Sequence, residues 1–342
     1  MQLKRILMIV SVLLVLLVPT GITLTVGWRP FIGPSSRSVT DRKFQSTPAR
    51  LQRGDYLVNA VAGCFGCHSE PDTTLPDFPP KQGFEGAGQF AGVDPTVGSV
   101  YMPNITPDKE TGIGNWTDDE ITRAVREGIG RDGLTLFPIM PYDSFRSMSD
   151  EDLASVVVYL RSIPAVRHPV PKMRPPFLIG RLVMSAPQPI TQPVSSDLST
   201  PLARGTYLVT LASCRHCHTP TDSLGQPKEN LTYAGGSVFE TPLGKKLAAL
   251  NLTQDPSGIS YFDESIFMTM IRNGKYGART LKPPMPWTIY RNMTDEDLKA
   301  VWAFIHNLKP VFHHVDNSFE PTMCPICGNI HGAGDTNKKV KN

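Results

Sequence analysis

The hydrophobic pattern divides the chain into one long apolar run and a body of amphipathic segments. Residues Ile6 to Trp28 carry no charge, and Ile6 to Val18 are almost wholly apolar. A helix crosses a bilayer with roughly 20 apolar residues. Residues 6–28 therefore read as a transmembrane anchor, and Lys4 and Arg5 in the preceding 1–5 segment place the N-terminus in the cytoplasm. A cleaved signal peptide is the rival reading. It calls for a shorter apolar region, about 7–15 residues, and a small-x-small cleavage site. In the body, Leu153, Val156, Val157 and Leu160 recur at helical spacing, as do Leu298, Val301, Trp302 and Ile305. Ser149 and Thr294 each precede an Asp by three residues, Asp152 and Asp297, and start these two helices. Thr117 and Glu120 form a capping box whose helix ends near Gly128, and Asp263 starts a segment that stops near Gly274.

The body repeats itself. Arg53-Gly54-Asp55-Tyr56-Leu57-Val58 and Arg204-Gly205-Thr206-Tyr207-Leu208-Val209 each run into a cysteine pair. Asn104-Ile105-Thr106 returns as Asn251-Leu252-Thr253, Met140-Pro141-Tyr142 as Met285-Pro286-Trp287, and Met148 to Leu153 as Met293 to Leu298. The order is the same in both copies. The chain is thus expected to be all-α: a linker at 29–47, one domain at 48–166, a Pro-rich connector at 167–197, a second domain at 198–312 and a tail at 313–342. Nine prolines between Pro164 and Pro201 make the region around the connector extended.

Composition narrows the classes without choosing one. At 342 residues, with 40% hydrophobic and 19% charged, two folded domains are expected rather than disorder or a disulfide-stapled miniprotein. A net charge of +3 gives no basic surface for nucleic acid. The six cysteines are informative because all fall in Cys-x-x-Cys pairs.

Two of the pairs continue into histidine: Cys64-Phe65-Gly66-Cys67-His68 and Cys214-Arg215-His216-Cys217-His218. Cys-x-x-Cys-His is the attachment signature of a c-type haem. Two thiols on one helical turn add to the two porphyrin vinyl groups, and the next residue reaches the iron from the same side. Chance gives roughly 0.0025 such motifs at this composition. Two are present, at matching places in a repeat, so two covalent haems are expected. For the sixth iron ligands, Met140 and Met285 stand out, because each precedes Pro and an aromatic at equivalent positions. Met102, Met268 and Met270 are weaker candidates, and Met148 and Met293 read as core filler. The haem propionates offset the +3 charge, which leaves the loaded protein near neutral.

The third pair, Cys324-Pro325-Ile326-Cys327, lacks the histidine. It reads as a disulfide, as half of a zinc site completed by His331, with His313 and His314 nearby, or as free thiols. Gly128 to Gly133 matches G-x-G-x-x-G in form, but it follows a helix where a dinucleotide fingerprint must follow a strand. His168, His216 and His306 read as packed or solvated.

The repeats resemble class I cytochrome c domains. More narrowly, residues 48 to 312 look like the cytochrome c subunits of membrane-bound bacterial alcohol, aldehyde and gluconate dehydrogenases. The likeness rests on Arg-Gly-x-Tyr-Leu-Val, Asn104 to Asp108, Thr111 to Trp116, Met140-Pro141-Tyr142, Ala234-Gly235-Gly236 and Thr241 to Gly244. Such subunits usually carry three haems, where this chain has two motifs. The resemblance implies an electron carrier on the outer, periplasmic face of the cytoplasmic membrane. It would work between a respiratory donor, a dehydrogenase or quinol-oxidising complex, and a cytochrome or terminal oxidase. A two-haem peroxidase, which needs an iron with an open sixth position, and a structural subunit of a respiratory complex are the alternatives.

Overall fold

The computed structural model describes residues 2–24, 34–75, 77–95, 97–176, 187–222, 225–240, 244–277 and 279–317, and short pieces at 322–323, 328–331 and 338–339. Helix α1, Gln2–Leu24, is the apolar run, and it is long and apolar enough to cross a membrane by length and composition. Pro19 lies inside it. The hydroxyls of Thr20 and Thr23 donate back to the carbonyls of Leu16 and Pro19, at 2.7 and 2.8 Å.

The segment read as a linker is docked. The Arg37 guanidinium donates two hydrogen bonds to Asp119, at 2.7 and 2.8 Å, and a third to Glu127 at 2.7 Å. Arg42 and the backbone amide of Thr40 also reach Asp119, which is wholly buried. The amide of Phe44 donates to Asp118. A buried carboxylate is tolerated only when paired and hydrogen-bonded, and here the strap supplies the partners.

After the strap, α2 (Pro48–Tyr56) starts on a Thr47 cap and continues through a wider helical turn, Leu57–Val61. The short turn α3 (Cys64–Cys67) follows. A hairpin, β1 (Gln89–Asp94) and β2 (Gly98–Met102), is kinked by a bulge between Phe90 and Gly92. Helix α4 (Asp118–Glu127) has both legs of the Thr117–Glu120 capping box and ends on Gly128 in the left-handed conformation, which settles the G-x-G-x-x-G segment as a helix stop. Then come α5 (Tyr142–Phe145) and α6 (Asp150–Ser162), capped by Ser149.

The second half repeats the order. Helix α7 (Pro201–Leu211) is followed by the turn α8 (Cys214–His218), the hairpin β3 (Val238–Glu240) and β4 (Lys246–Ala248), and α9 (Glu264–Asn273), capped by Asp263 and stopped at Gly274. A small hairpin, β5 (Lys275–Tyr276) and β6 (Arg279–Thr280), leads to α10 (Trp287–Tyr290) and α11 (Asp295–His306), capped by Thr294. Beyond it, β7 (Thr322–Met323), β8 (Asn329–His331) and β9 (Lys338–Lys339) pair antiparallel in the tail.

The core-forming elements are thus helical, while short hairpins depart from a strictly all-α reading. They line the outside: β1–β2 carries its own small cluster of Val97, Val100 and Met102. Within each half the first and last helices pack together, α2 on α6 and α7 on α11. They cross at the glycine of the repeated Arg-Gly-x-Tyr segment. A Cβ on Gly54 would sit 2.1 Å from the Ser155 carbonyl oxygen, and one on Gly205 would sit 1.9 Å from that of Ala300. No other residue fits there, so this glycine is a packing requirement. One apolar cluster runs through both halves, from Leu57, Val58, Leu153 and Val157 to Leu208, Leu211, Leu298 and Trp302.

Candidate haem-attachment sites

Each cysteine motif is presented by one helical turn that follows a left-handed residue, Gly63 (φ 62°) or Ser213 (φ 54°). The reversal lets the turn leave the first helix. Left-handed backbone is cheap for Gly63 and strained for Ser213. The four thiols, Cys64, Cys67, Cys214 and Cys217, are free. Burial pushes Cys64 and Cys214 up to about 12 and Cys217 up to about 11, and raises Cys67 as well. Redox or nucleophilic Cys-x-x-Cys pairs need the opposite, a depressed thiol in an electropositive setting.

The histidines are the most informative groups. His68 and His218 are buried, and each Nδ1 lies on a backbone carbonyl, Pro103 at 2.8 Å and Leu250 at 2.7 Å. A carbonyl only accepts, so Nδ1 carries the proton and Nε2 keeps its lone pair. That is the arrangement by which proteins orient a metal-ligating imidazole. Burial also pushes both imidazoles down, against the smaller opposing effect of the carbonyl, which keeps them neutral.

The carbonyls are held in place by the second repeated segment. Asn104, almost fully buried, accepts from the Thr106 amide and hydroxyl, and its amide donates to the carbonyls of Val166 and His168. Asn251 does the same with Thr253, Val311 and His313. His168 and His313 in turn place Nδ1 on Ala87 and Ala234, each at 3.0 Å. Their equivalence escaped the sequence reading, because each lies just past the boundary assigned to its domain. His313, weighed there as a zinc ligand, uses its Nδ1 in this network.

Met140 and Met285 sit in matching loops. Each amide donates three residues back, to Phe137 at 3.1 Å and Lys282 at 3.0 Å. Each carbonyl accepts from the residue beyond the proline, Tyr142 or Trp287. Both side chains are half-buried against the shared apolar cluster. Met148 and Met293 are buried core, Met270 is buried in α9 and Met102 belongs to the hairpin cluster. His216 is exposed, and His306 stacks on Trp302. Cys324 and Cys327 lie outside the described residues, as does the side chain of His331.

A covalent haem fits these residues. The donor set is two thiols and an oriented imidazole on one turn. At the second site, two buried polar atoms, Ser213 Oγ and Trp287 Nε1, have no protein partner.

Residues 202–309 match the cytochrome c family, so this part of the chain is a cytochrome c domain. Over most of its length the chain is similar to cytochrome c subunits of bacterial dehydrogenases. It is 32% identical to the cytochrome c subunit of alcohol dehydrogenase (quinone) from Gluconacetobacter polyoxogenes, over 84% of this chain and 61% of that protein. It is 30% identical to the fructose dehydrogenase cytochrome subunit of Gluconobacter japonicus, over 75% and 52%. A diheme cytochrome c-type protein of Cereibacter sphaeroides is 31% identical over 56% and 65%. The chain therefore spans between half and two thirds of the length of these relatives. None of these comparisons supports zinc in the tail.

Proposed function

We propose that the chain is a membrane-anchored, two-haem c-type cytochrome that carries electrons for a dehydrogenase or quinol-oxidising complex toward a cytochrome or terminal oxidase. Residues 48–166 are on this reading a second copy of the domain at 198–312. Cys64, Cys67 and His68 hold one haem and Cys214, Cys217 and His218 the other, with Met140 and Met285 as sixth ligands. Bound haem supplies reversible one-electron exchange at its iron. The protein's part is to fix the ligands and keep the site dry. His68 and His218 present Nε2, Pro103 and Leu250 hold their tautomers, and the apolar cluster excludes water.

The observation that carries the proposal is the duplicated imidazole–carbonyl pair, in which two buried histidines beside two thiol pairs are oriented identically. Methionines at matching places in both halves favour a carrier over a peroxidase, which needs one displaceable ligand. The names of the relatives support a place beside a dehydrogenase. The apolar helix α1 supports attachment to the cytoplasmic membrane, with the body on its outer face.

The test is mass spectrometry and reductive titration of the holoprotein. Two covalent haems and two one-electron waves are expected. Met140→His and Met285→His should each lower one potential and remove one methionine–iron absorption band. If neither change moves a potential, the methionine assignment is wrong.

A further inference from the structure

The last helix of each half is capped by the other half. At α4 the capping box closes on itself: the Thr117 hydroxyl accepts from the Glu120 amide, and the Glu120 carboxylate accepts from the Thr117 amide. At α6 only the first leg is local, with the Ser149 hydroxyl accepting from the Asp152 amide at 3.2 Å. The second leg contains a phenol. The Ser149 amide donates to the Tyr207 hydroxyl at 3.0 Å, and that hydroxyl donates to Asp152 Oδ2 at 2.7 Å. At α11 the same relay runs the other way: the Thr294 amide donates to the Tyr56 hydroxyl at 3.2 Å, and Tyr56 donates to Asp297 Oδ2.

Both carboxylates are buried, and each is also held by the arginine of its own half. Arg53 grips Asp152 with two bonds at 2.7 and 2.8 Å, and Arg204 holds Asp297 at 2.5 Å. The arrangement is reciprocal, like a two-fold interface folded into one chain. It also explains the repeated Arg-Gly-x-Tyr: the arginine pairs within its half, the glycine allows the helix crossing, and the tyrosine reaches across.

We infer that Tyr56 and Tyr207 are positioning residues that lock the two halves in register and thereby set the spacing of the two cysteine turns. The register matters because the first half's cysteine turn lies on this interface. Ile289 Cδ1 would lie 2.9 Å from a Cβ on Gly66 and 3.1 Å from one on Gly63, so α10 of the second half rests on the first half's turn. Tyr56 and Tyr207 each precede their first cysteine through helical residues, so a shift at the clamp is carried to the turn.

The function of the clamp rests on the two-haem reading, but its existence does not. Two measurements on the full-length protein in detergent therefore decide separate questions. The first is amide hydrogen exchange. Tyr56→Phe should speed exchange at Thr294 and along the first turn of α11, about tenfold or more, and leave Ser149 unchanged; Tyr207→Phe should do the converse. Exchange that changes only within the substituted half, or nowhere, overturns the clamp. The second is Soret circular dichroism, in which two nearby haems give a two-signed couplet. The double Phe variant should lose at least about half of the couplet, with haem content and the wild-type ligand spectrum retained. An unchanged couplet in that variant overturns the positioning role. Should the double variant fail to fold, the single variants carry the same readouts. A chain holding fewer than two haems would instead refute the proposed function, and exchange would still decide the clamp.

Discussion

The two halves share what touches the cysteine turns and differ in what covers the outside. The turn, the imidazole–carbonyl pair, the Asn–Thr network and the capped last helix recur with nearly equal distances. The outer face of the third helix does not. In the first half, α4 carries Asp119 and Glu127, which hold the strap of residues 37–44. In the second half, the equivalent positions on α9 are Ser265 and Asn273. Leu134 and Ile139 are exposed beside Met140, while Arg279 and Lys282 occupy the matching loop beside Met285. The scaffold constrains the site side, so the outer side is free to differ. The first half is thus the tethered one.

The largest predicted effect tests whether the halves load independently. On the proposed reading, replacing both Cys64 and Cys67 by Ala should remove the covalent haem of the first half and leave one per chain, read as the mass of the purified protein; loss of both would show that the halves load together. Next, Asp119→Ala removes the shared partner of Arg37, Arg42 and the Thr40 amide, with Glu127 still holding Arg37, and should cost about 1–3 kcal/mol in the first half, measured by denaturant unfolding. Ser265→Ala at the matching exposed site should cost under about 0.5 kcal/mol. A similar cost at both sites would erase the contrast. Burial alone would raise the Asp119 carboxyl, but the Arg37 and Arg42 guanidiniums and the Thr40 amide hold it well below the ordinary range. A carboxyl depressed in the folded state contributes stability above its unfolded value, near pH 4, and this is lost as the pH falls below it. Acid should therefore release the strap before it disturbs α9, followed as proteolysis of residues 34–47.

At the alkaline end the halves should behave alike. Burial, and then the nearby Asp297 and Asp152 carboxylates, push Tyr56 and Tyr207 up to about 12. A phenol raised in the folded state contributes stability below its unfolded value, near pH 10, and this is lost as the pH rises toward 12. Ultraviolet titration should show both ionising late and together with separation of the halves. The smallest effect concerns the left-handed residues. Ser213→Gly should raise stability by about 1 kcal/mol, and Gly63→Ser should lower it by at least as much, because its Cβ would also meet Ile289.

Local chemistry was legible in the sequence and long-range pairing was not. Thr117, Asp263, Ser149 and Thr294 were readable as helix starts because a cap needs only residues within one turn. The cysteine motifs were readable because attachment demands that spacing. The strap was read as a linker because Arg37 and Asp119 meet across 82 positions, and no periodicity records such a pair. The β1–β2 hairpin was missed because a bulge at Gly92 breaks its alternation. His168 and His313 looked incidental until the Asn104 and Asn251 networks placed them side by side with the same bond. Tyr56 and Tyr207 were visible as a repeated letter, but a side chain that leaves its own half gives no local signal.

The docked strap also sets a leash. With α1 in a bilayer, only the residues between Leu24 and Arg37 separate the membrane from the body, and fully extended they reach about 45 Å. Diffusion of the first half is then confined to a thin layer above the lipid. On the proposed reading, a redox partner embedded in the same membrane would meet it in a two-dimensional search, at an effective concentration in the millimolar range. Cutting the strap from Asp119 would lengthen that leash, dilute every encounter and slow turnover with membrane partners, while leaving reactions with freely diffusing ones unchanged.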